Sequence, residues 1–315
     1  MMGNIEKVSI IGLGAMGSTY LSQILKFLPE KNVSVIAGGD RAEKYRTNGV
    51  TVNGRDYRLN LVAPSEKCEL TDLLIFAVKF NQLADAVEQV RNHIGPDTII
   101  ISILNGISSE EIIGAVYGIE KVLYSISVGI DAVREGNSTT FKNLGMISFG
   151  EKTNLPGQFS PKVLKLKEFF ERTQINYSIP EDMMRMLWWK FMVNVGVNQV
   201  SAVLRASYGV FQNVKEAREL MTASMKEVIN ISRVAGINLT QADVDDWLIV
   251  IDKLSPTGKT SMLQDMEAAR QTEVDIFAGT VVEMGQEYDV PTPVNKMLFD
   301  IIKSSEGMFR YKAHE

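Results

Sequence analysis

With 315 residues and 45% hydrophobic content, the chain can bury sizeable cores and favours two domains over one. Its 33 basic residues are outweighed by 38 acidic ones, and a net charge of -5 excludes the basic field that nucleic acid or an anionic membrane surface would select. One cysteine, Cys68, rules out an intrachain disulfide; no Cys/His cluster has metal-ligand spacing, and neither a signal-like start nor an apolar run of about 18 residues occurs, so a soluble cytoplasmic protein without a metal site is expected.

In chain order, "KVSIIGLG", "VSVIAGG", "LLIFAV" and "TIIISIL" read as buried parallel strands. Helical stretches such as "AMGSTYLSQILKFL" and "NQLADAVEQVRNHI" separate them. That alternation predicts an α/β, Rossmann-type doubly wound parallel sheet. At its first strand-to-helix turn, "VSIIGLGAMGSTY" sets Gly12, Gly14 and Gly17 around Leu13, Ala15 and Met16. The first glycine permits a tight turn, the second lets backbone approach a pyrophosphate, and the third packs helix on strand. A dinucleotide on the helix N-terminus is the functional reading, and a plain glycine turn is the bland one.

Cofactor choice is read after the second strand, in "VIAGGDRAEKYR". An acid there holds a ribose 2′-OH and an arginine accepts a 2′-phosphate, but Ala37, Gly38 and Gly39 offer neither. Arg41 is the nearest guanidinium, with Asp40 either competing for it or capping the next helix. The balance favours NADP, with NAD left open.

Two motifs are decoys. Tyr117 and Lys121 have Tyr-x-x-x-Lys spacing, but Gly118 interrupts them and strand follows at once, so they would not share a helix face. "SPTGKTSM" has Lys253 where a phosphate-binding loop needs its first glycine. His93 and His314 are the only histidines, one in a polar helix and one near the C-terminus, which argues against a histidine-dependent hydride-transfer enzyme.

After Pro180, Glu181 and Asp182, which suit the start of a helix, β-rich runs stop and helical periodicity continues to the end. The expected domains are residues 1–180, binding dinucleotide, and 181–315, all-helical and binding substrate. The second opens on "LWWKFMVNVGVNQVSAV", where Lys190, Asn194 and Asn198 stand four apart in an apolar helix and form one stripe about 12 Å long. A solvated face is the alternative reading of that stripe. Trp188 and Trp189 read as helix-packing core before site wall.

Together, "GLGAMG", "AVKFNQ", "LNG", "WWKFMVNVGVN" and "SMLQDMEAARQTEVD", in this order and spacing over nearly the whole chain, resemble the ketopantoate reductase (2-dehydropantoate 2-reductase) family. The resemblance implies that Lys79 and Asn105 lie near the cofactor, Asn105 between nicotinamide and substrate. It further implies Lys190 as general acid, Asn194, Asn198 and Ser261 as substrate-binding groups, and Glu273 as a carboxylate near the lysine and among the cofactor-binding residues. The chemistry suits these types. Hydride arriving at a 2-keto carbon builds charge on oxygen, which an ammonium stabilises and protonates, while neutral amides orient substrate without a competing charge. Glu273 would tune and orient Lys190.

Ser261 and Glu273 are twelve residues apart, and one straight helix would separate them by ~18 Å. Capping boxes at Ser261 and Thr272 would allow two helices with a break near Gln271. Gly38 departs from many relatives, which carry Arg there. The expected function is NADPH-dependent reduction of 2-dehydropantoate to (R)-pantoate for pantothenate and coenzyme A synthesis. A 2-hydroxy acid dehydrogenase acting on another branched 2-keto acid is the near alternative, and a non-catalytic dinucleotide-binding regulator the distant one. The site is expected in a cleft between the domains, and a homodimer is compatible with the sequence.

Overall fold

The computed structural model describes residues 4–67 and 69–312; Cys68 and His314 lie outside them. The chain divides into two compact units, Met1–Met184 and Arg185–Glu315.

In the first unit the elements are β1 (Val8–Ile11), α1 (Ala15–Ile24), β2 (Val33–Ile36), α2 (Gly39–Asn48), β3 (Val50–Val52), β4 (Arg55–Tyr57), β5 (Asn60–Val62), β6 (Thr71–Phe76), α3 (Leu83–Gln89), β7 (Ile94–Ser102) and α4 (Ser109–Tyr117). They continue as β8 (Val122–Val128), β9 (Val133–Glu135), β10 (Ser138–Thr140), β11 (Met146–Gly150), α5 (Pro161–Arg172) and β12 (Tyr177–Ser178). Eight strands form one sheet in the order β12-β11-β8-β7-β6-β1-β2-β5. Its centre is parallel, and β11 joins β8 antiparallel at one side. The four expected strands are β1, β2, β6 and β7. Their continuous apolar runs arise because both faces are covered: Ile10, Val35, Leu73 and Ile101 pack in one cluster, and Ile11, Ile36, Leu74 and Ile100 in another. Each such side chain contributes about 1.5–3 kcal/mol of burial.

A second sheet, β4-β3-β10-β9, was not expected from the sequence. Its strands are three residues long. Asn53-Gly54 turns β3 into β4 and Gly136-Asn137 turns β9 into β10, a local hairpin signal that the sequence reading passed over, but the central pair joins Thr51 to Ser138, which no local pattern announces.

The helices of the second unit are α6 (Met183–Leu204, whose first two residues close the first unit), α7 (Tyr208–Asn213), α8 (Lys215–Val234), α9 (Gln241–Ile251), α10 (Ser261–Glu267), α11 (Ala278–Glu287) and α12 (Pro293–Lys312). Glu181 and Asp182 do not occupy the first turn of α6. They belong to an extended strip in which Asp182 bridges Thr153 and the carbonyls of Pro180 and Glu181 accept from Asn154 at 2.7 and 2.8 Å. Gly196 is where α6 meets α8, since a β-carbon there would stand 2.3 Å from Met225 Cε. Buried side chains hold helix starts in this unit. Gln199 accepts from the Ala278 amide at 2.9 Å, and Glu227 accepts from the amides of Val294 and Asn295 at 2.8 and 2.9 Å. Among the described residues no helix is long and apolar enough to cross a membrane, and no group of three acidic, histidine or cysteine side chains is placed to hold a metal.

Candidate active site

The first unit presents a glycine cradle. Gly12 turns the chain at φ +94°, and a β-carbon there would press on the Ala77 carbonyl at 2.7 Å. At Gly17 a β-carbon would stand 2.0 Å from the Gly12 carbonyl oxygen, so this glycine sets how closely α1 packs on β1. Gly14 differs: only the Ala77 carbonyl, at 3.9 Å, comes near its β-position, and the residue is exposed. It is the N-cap of α1, with no side-chain cap and no acid in the first turn. The amides that open α1 are therefore left for an outside acceptor, and the face at Gly14 is open.

Lys79 follows β6 in extended backbone and is exposed; Asn105 follows β7 and is partly buried. Since β1, β6 and β7 are adjacent and parallel, Gly12, Lys79 and Asn105 leave the carboxyl ends of three neighbouring strands. The chain winds from β1 to β2 on one side and returns with β6 on the other, which makes this the switch point where such sheets bind ligands.

Beyond β2, Gly38 is the N-cap of α2, so Asp40 is not the cap. Arg41 is exposed and makes no hydrogen bond or ion pair among the described residues, so Asp40 does not compete for it either. A β-carbon at Gly38 would lie 3.1 Å from Pro64 Cδ; this proline fills the space a side chain would need.

In the second unit, the polar stripe of α6 has a definite partner. Asn198 is buried, donates from Nδ2 to Asn194 Oδ1 at 3.0 Å and accepts from Ser261 Oγ at 3.4 Å. Asn194 and Lys190, one and two turns back along the same helix, are partly buried. Trp188 is core, edge-to-face with Phe191 at 6.1 Å, whereas Trp189 is only partly buried.

The caps differ from those expected. Thr260, not Ser261, caps α10, accepting from the Leu263 amide at 3.1 Å while its hydroxyl meets Ser201 at 3.0 Å. Ser261 is thereby the first helical residue, and its hydroxyl is free to turn to Asn198. Thr272 caps no α-helix: its amide and hydroxyl both donate to the buried Glu306 at 2.7 Å. The chain does break after α10, with Ala269 at φ +50°, and Glu273 opens a single 3-10 turn, Val274–Ile276, before α11. Glu273 thus sits between Thr272, held by Glu306, and Ala278, held by Gln199 of α6. Sequence patterning missed Thr260, Gln199 and Glu306, because each acts on a residue chosen by the fold.

The decoys resolve as expected. Tyr117 donates to the Val87 carbonyl and Lys121 to the Pro96 carbonyl. Lys259 pairs with Glu267 at 2.7 Å. His93 is buried in a 3-10 turn, where burial pushes its imidazole below the usual range.

Residues 8–154 match the family model described as ketopantoate reductase PanE/ApbA, and residues 182–306 match its C-terminal counterpart. The chain belongs to the ketopantoate reductase family. It is accordingly an NAD(P)H-dependent oxidoreductase acting on the CH–OH/C=O group, of the 2-dehydropantoate 2-reductase type. A 2-dehydropantoate 2-reductase of Pyrococcus horikoshii is 26% identical over 96% of this chain and 98% of its own. The same share of this chain is covered by the fold of a dimeric ketopantoate reductase of Staphylococcus aureus (TM-score 0.81, 19% identity, 99% of that chain). A D-mandelate dehydrogenase solved with NADH and anilino(oxo)acetate has the same fold (TM-score 0.84, 23% identity, 96% of this chain and 99% of that one).

Proposed function

We propose that this ketopantoate reductase reduces 2-dehydropantoate to (R)-pantoate with NADPH, in the service of pantothenate and coenzyme A synthesis. The observation that carries the reading is the hydrogen-bonded run Ser261–Asn198–Asn194 on the stripe that Lys190 begins. Asn198 is buried and tied to a second helix, which supports a held, ligand-orienting stripe over a freely solvated face. When bound, the reduced nicotinamide supplies hydride to the 2-keto carbon. Lys190 stabilises the oxygen that gains charge and gives it a proton, forming the hydroxyl. Asn194, Asn198 and Ser261 hold the substrate's polar groups, Asn105 lies between nicotinamide and substrate, and Glu273 orients the lysine. Gly12–Gly17, Lys79 and Arg41 bind the cofactor, and the dimeric relative supports a homodimer.

Steady-state oxidation of NADPH and NADH across a panel of branched and aryl 2-keto acids tests this, with 2-dehydropantoate expected to give the highest kcat/KM. A second reading is a 2-hydroxy acid dehydrogenase of the same family that acts on another 2-keto acid. Gly38, packed on Pro64 where a discriminating side chain would stand, favours it, as does the NADH-bound D-mandelate dehydrogenase fold. A higher kcat/KM for another 2-keto acid would select it.

Two substitutions probe the assigned roles. Arg41→Ala is expected to raise KM for NADPH more than for NADH, and equal effects would remove Arg41 from 2′-phosphate binding. Glu273→Gln is expected to move the alkaline limb of the pH–rate profile to lower pH, because an ammonium that loses a nearby carboxylate gives up its proton sooner. An unmoved limb would separate Glu273 from the lysine's titration.

A further inference from the structure

Three arginines among the described residues are partly buried: Arg134, Arg185 and Arg218. Arg185 meets Asp243 at 2.5 Å and Arg218 meets Asp252 at 2.6 Å. Arg134, on β9, has no carboxylate partner among the described residues. Its Nη1 donates to the Leu13 carbonyl and, at 2.9 Å, to the Ser18 hydroxyl, and its Nε donates to the Gly136 carbonyl at 3.0 Å. All three acceptors are neutral, and Nη2 has no partner among the described residues. Desolvation pushes the pKa of this guanidinium below its ordinary value, as expected of a charge withdrawn from water with no counter-ion. Such a charge is costly unless an anion completes it.

The position says which anion. Leu13 is the residue between the first two glycines of the cradle, and Ser18 lies in the opening turns of α1. The turn that follows β9 is tied to α2, since Asn137 Nδ2 donates to the carbonyl of Asn48, the last residue of that helix, at 2.6 Å, and Tyr45, one turn beyond Arg41, lies on the same helix. Arg134 therefore stands between the glycine loop and the α2 face that follows β2, where this fold holds the adenosine ribose. The pyrophosphate takes the amides beyond Gly14, whereas Arg134 meets the loop on its carbonyl side. Gly38 contributes no side chain here.

We propose that Arg134 receives the 2′-phosphate of NADPH from beneath, with Nη1 anchored on the glycine loop and Nη2 presented to the phosphate, while Arg41 meets it from the solvent side. This assignment rests on the NADPH reading given above.

Equilibrium binding of NADPH and NADH to the full-length protein, followed by nicotinamide fluorescence, tests it. Arg134→Gln keeps a donor for the Leu13 carbonyl and removes the charge. It is expected to raise the Kd for NADPH roughly 10- to 100-fold and that for NADH less than threefold. Arg134→Lys keeps the charge without the fork and is expected to cost NADPH about three- to tenfold. Should Arg134→Gln fail to fold, the lysine variant decides by the same comparison. Equal weakening of both nucleotides would make Arg134 a brace of the loop only and overturn the proposal, as would no change in either. A wild-type protein that binds NADH as tightly as NADPH would overturn the NADPH reading and this assignment together. A wild-type preference for NADPH that survives in Arg134→Gln would overturn this assignment alone.

Discussion

Lys190→Ala is expected to lower turnover by roughly 10²- to 10⁴-fold, the range for loss of a general acid, while the fold and the Kd for NADPH stay near those of the parent protein. The expectation follows from where Lys190 stands. Its helix is held by Leu187, Phe191 and Val195, each at most 2% exposed, so removing a partly buried ammonium leaves the core closed. What it removes is the charge at the head of a stripe whose other members are neutral amides and a hydroxyl. Asn198 should behave differently. It is 6% exposed and bonded on both sides, so its loss would remove two hydrogen bonds and cost about 1–3 kcal/mol of stability as well as substrate affinity. Turnover and thermal unfolding of the lysine variant decide the matter. A folded Lys190→Ala protein with near-normal kcat on its best 2-keto acid would end the assignment of the general acid, and a variant that loses activity only by unfolding would make Lys190 structural.

Gly17→Ala and Gly14→Ala are expected to part company although both fall in one six-residue motif. At Gly17 the added methyl would meet the Gly12 carbonyl oxygen at 2.0 Å, backbone against backbone, with Ala77 Cβ at 3.1 Å on another side. Neither neighbour can rotate away, so α1 must lift from β1. Overpacking of this kind costs about 1–3 kcal/mol, which corresponds to a fall in Tm of roughly 3–10 °C, with the cofactor site distorted besides. At Gly14 the backbone lies at φ -73° and the nearest atom is 3.9 Å away, so the methyl is tolerated by the protein. It would instead occupy the exposed face proposed to take the diphosphate, and the Kd for NADPH is expected to rise about tenfold or more with Tm within about 2 °C. Thermal unfolding and NADPH titration of both variants check this. Unchanged affinity in Gly14→Ala would remove the diphosphate from that face, and an unchanged Tm in Gly17→Ala would mean that the helix does not depend on this close approach.

The glycine cradle was legible in the residues alone because its requirement is local: each glycine answers to atoms of its own turn or of the strand beside it. The central parallel strands were legible for a related reason, since a strand covered on both faces must be apolar throughout and announces itself over a few consecutive residues. The α6 stripe follows from helical geometry, and the sequence by itself determined that Lys190, Asn194 and Asn198 share one face.

What covers that face, and what holds the residues around it, only the tertiary structure decided. Ser261 and Thr260 are equally good caps by composition; contact with Ser201 on α6 selects Thr260 and releases Ser261 to Asn198. Thr272 looks like a helix cap until Glu306, 34 residues on, takes both of its donors. The three-residue strands of the small sheet carry no period of their own, yet the pairing of Thr51 with Ser138, 87 residues on, brings Arg134 to a loop 121 residues earlier in the chain. Periodicity records how a segment meets water and core, whereas a hydrogen-bond partner far along the chain is chosen by packing. For that reason the sequence determined the class of site and its polar stripe, while the fold decided which neighbour each polar group would hold.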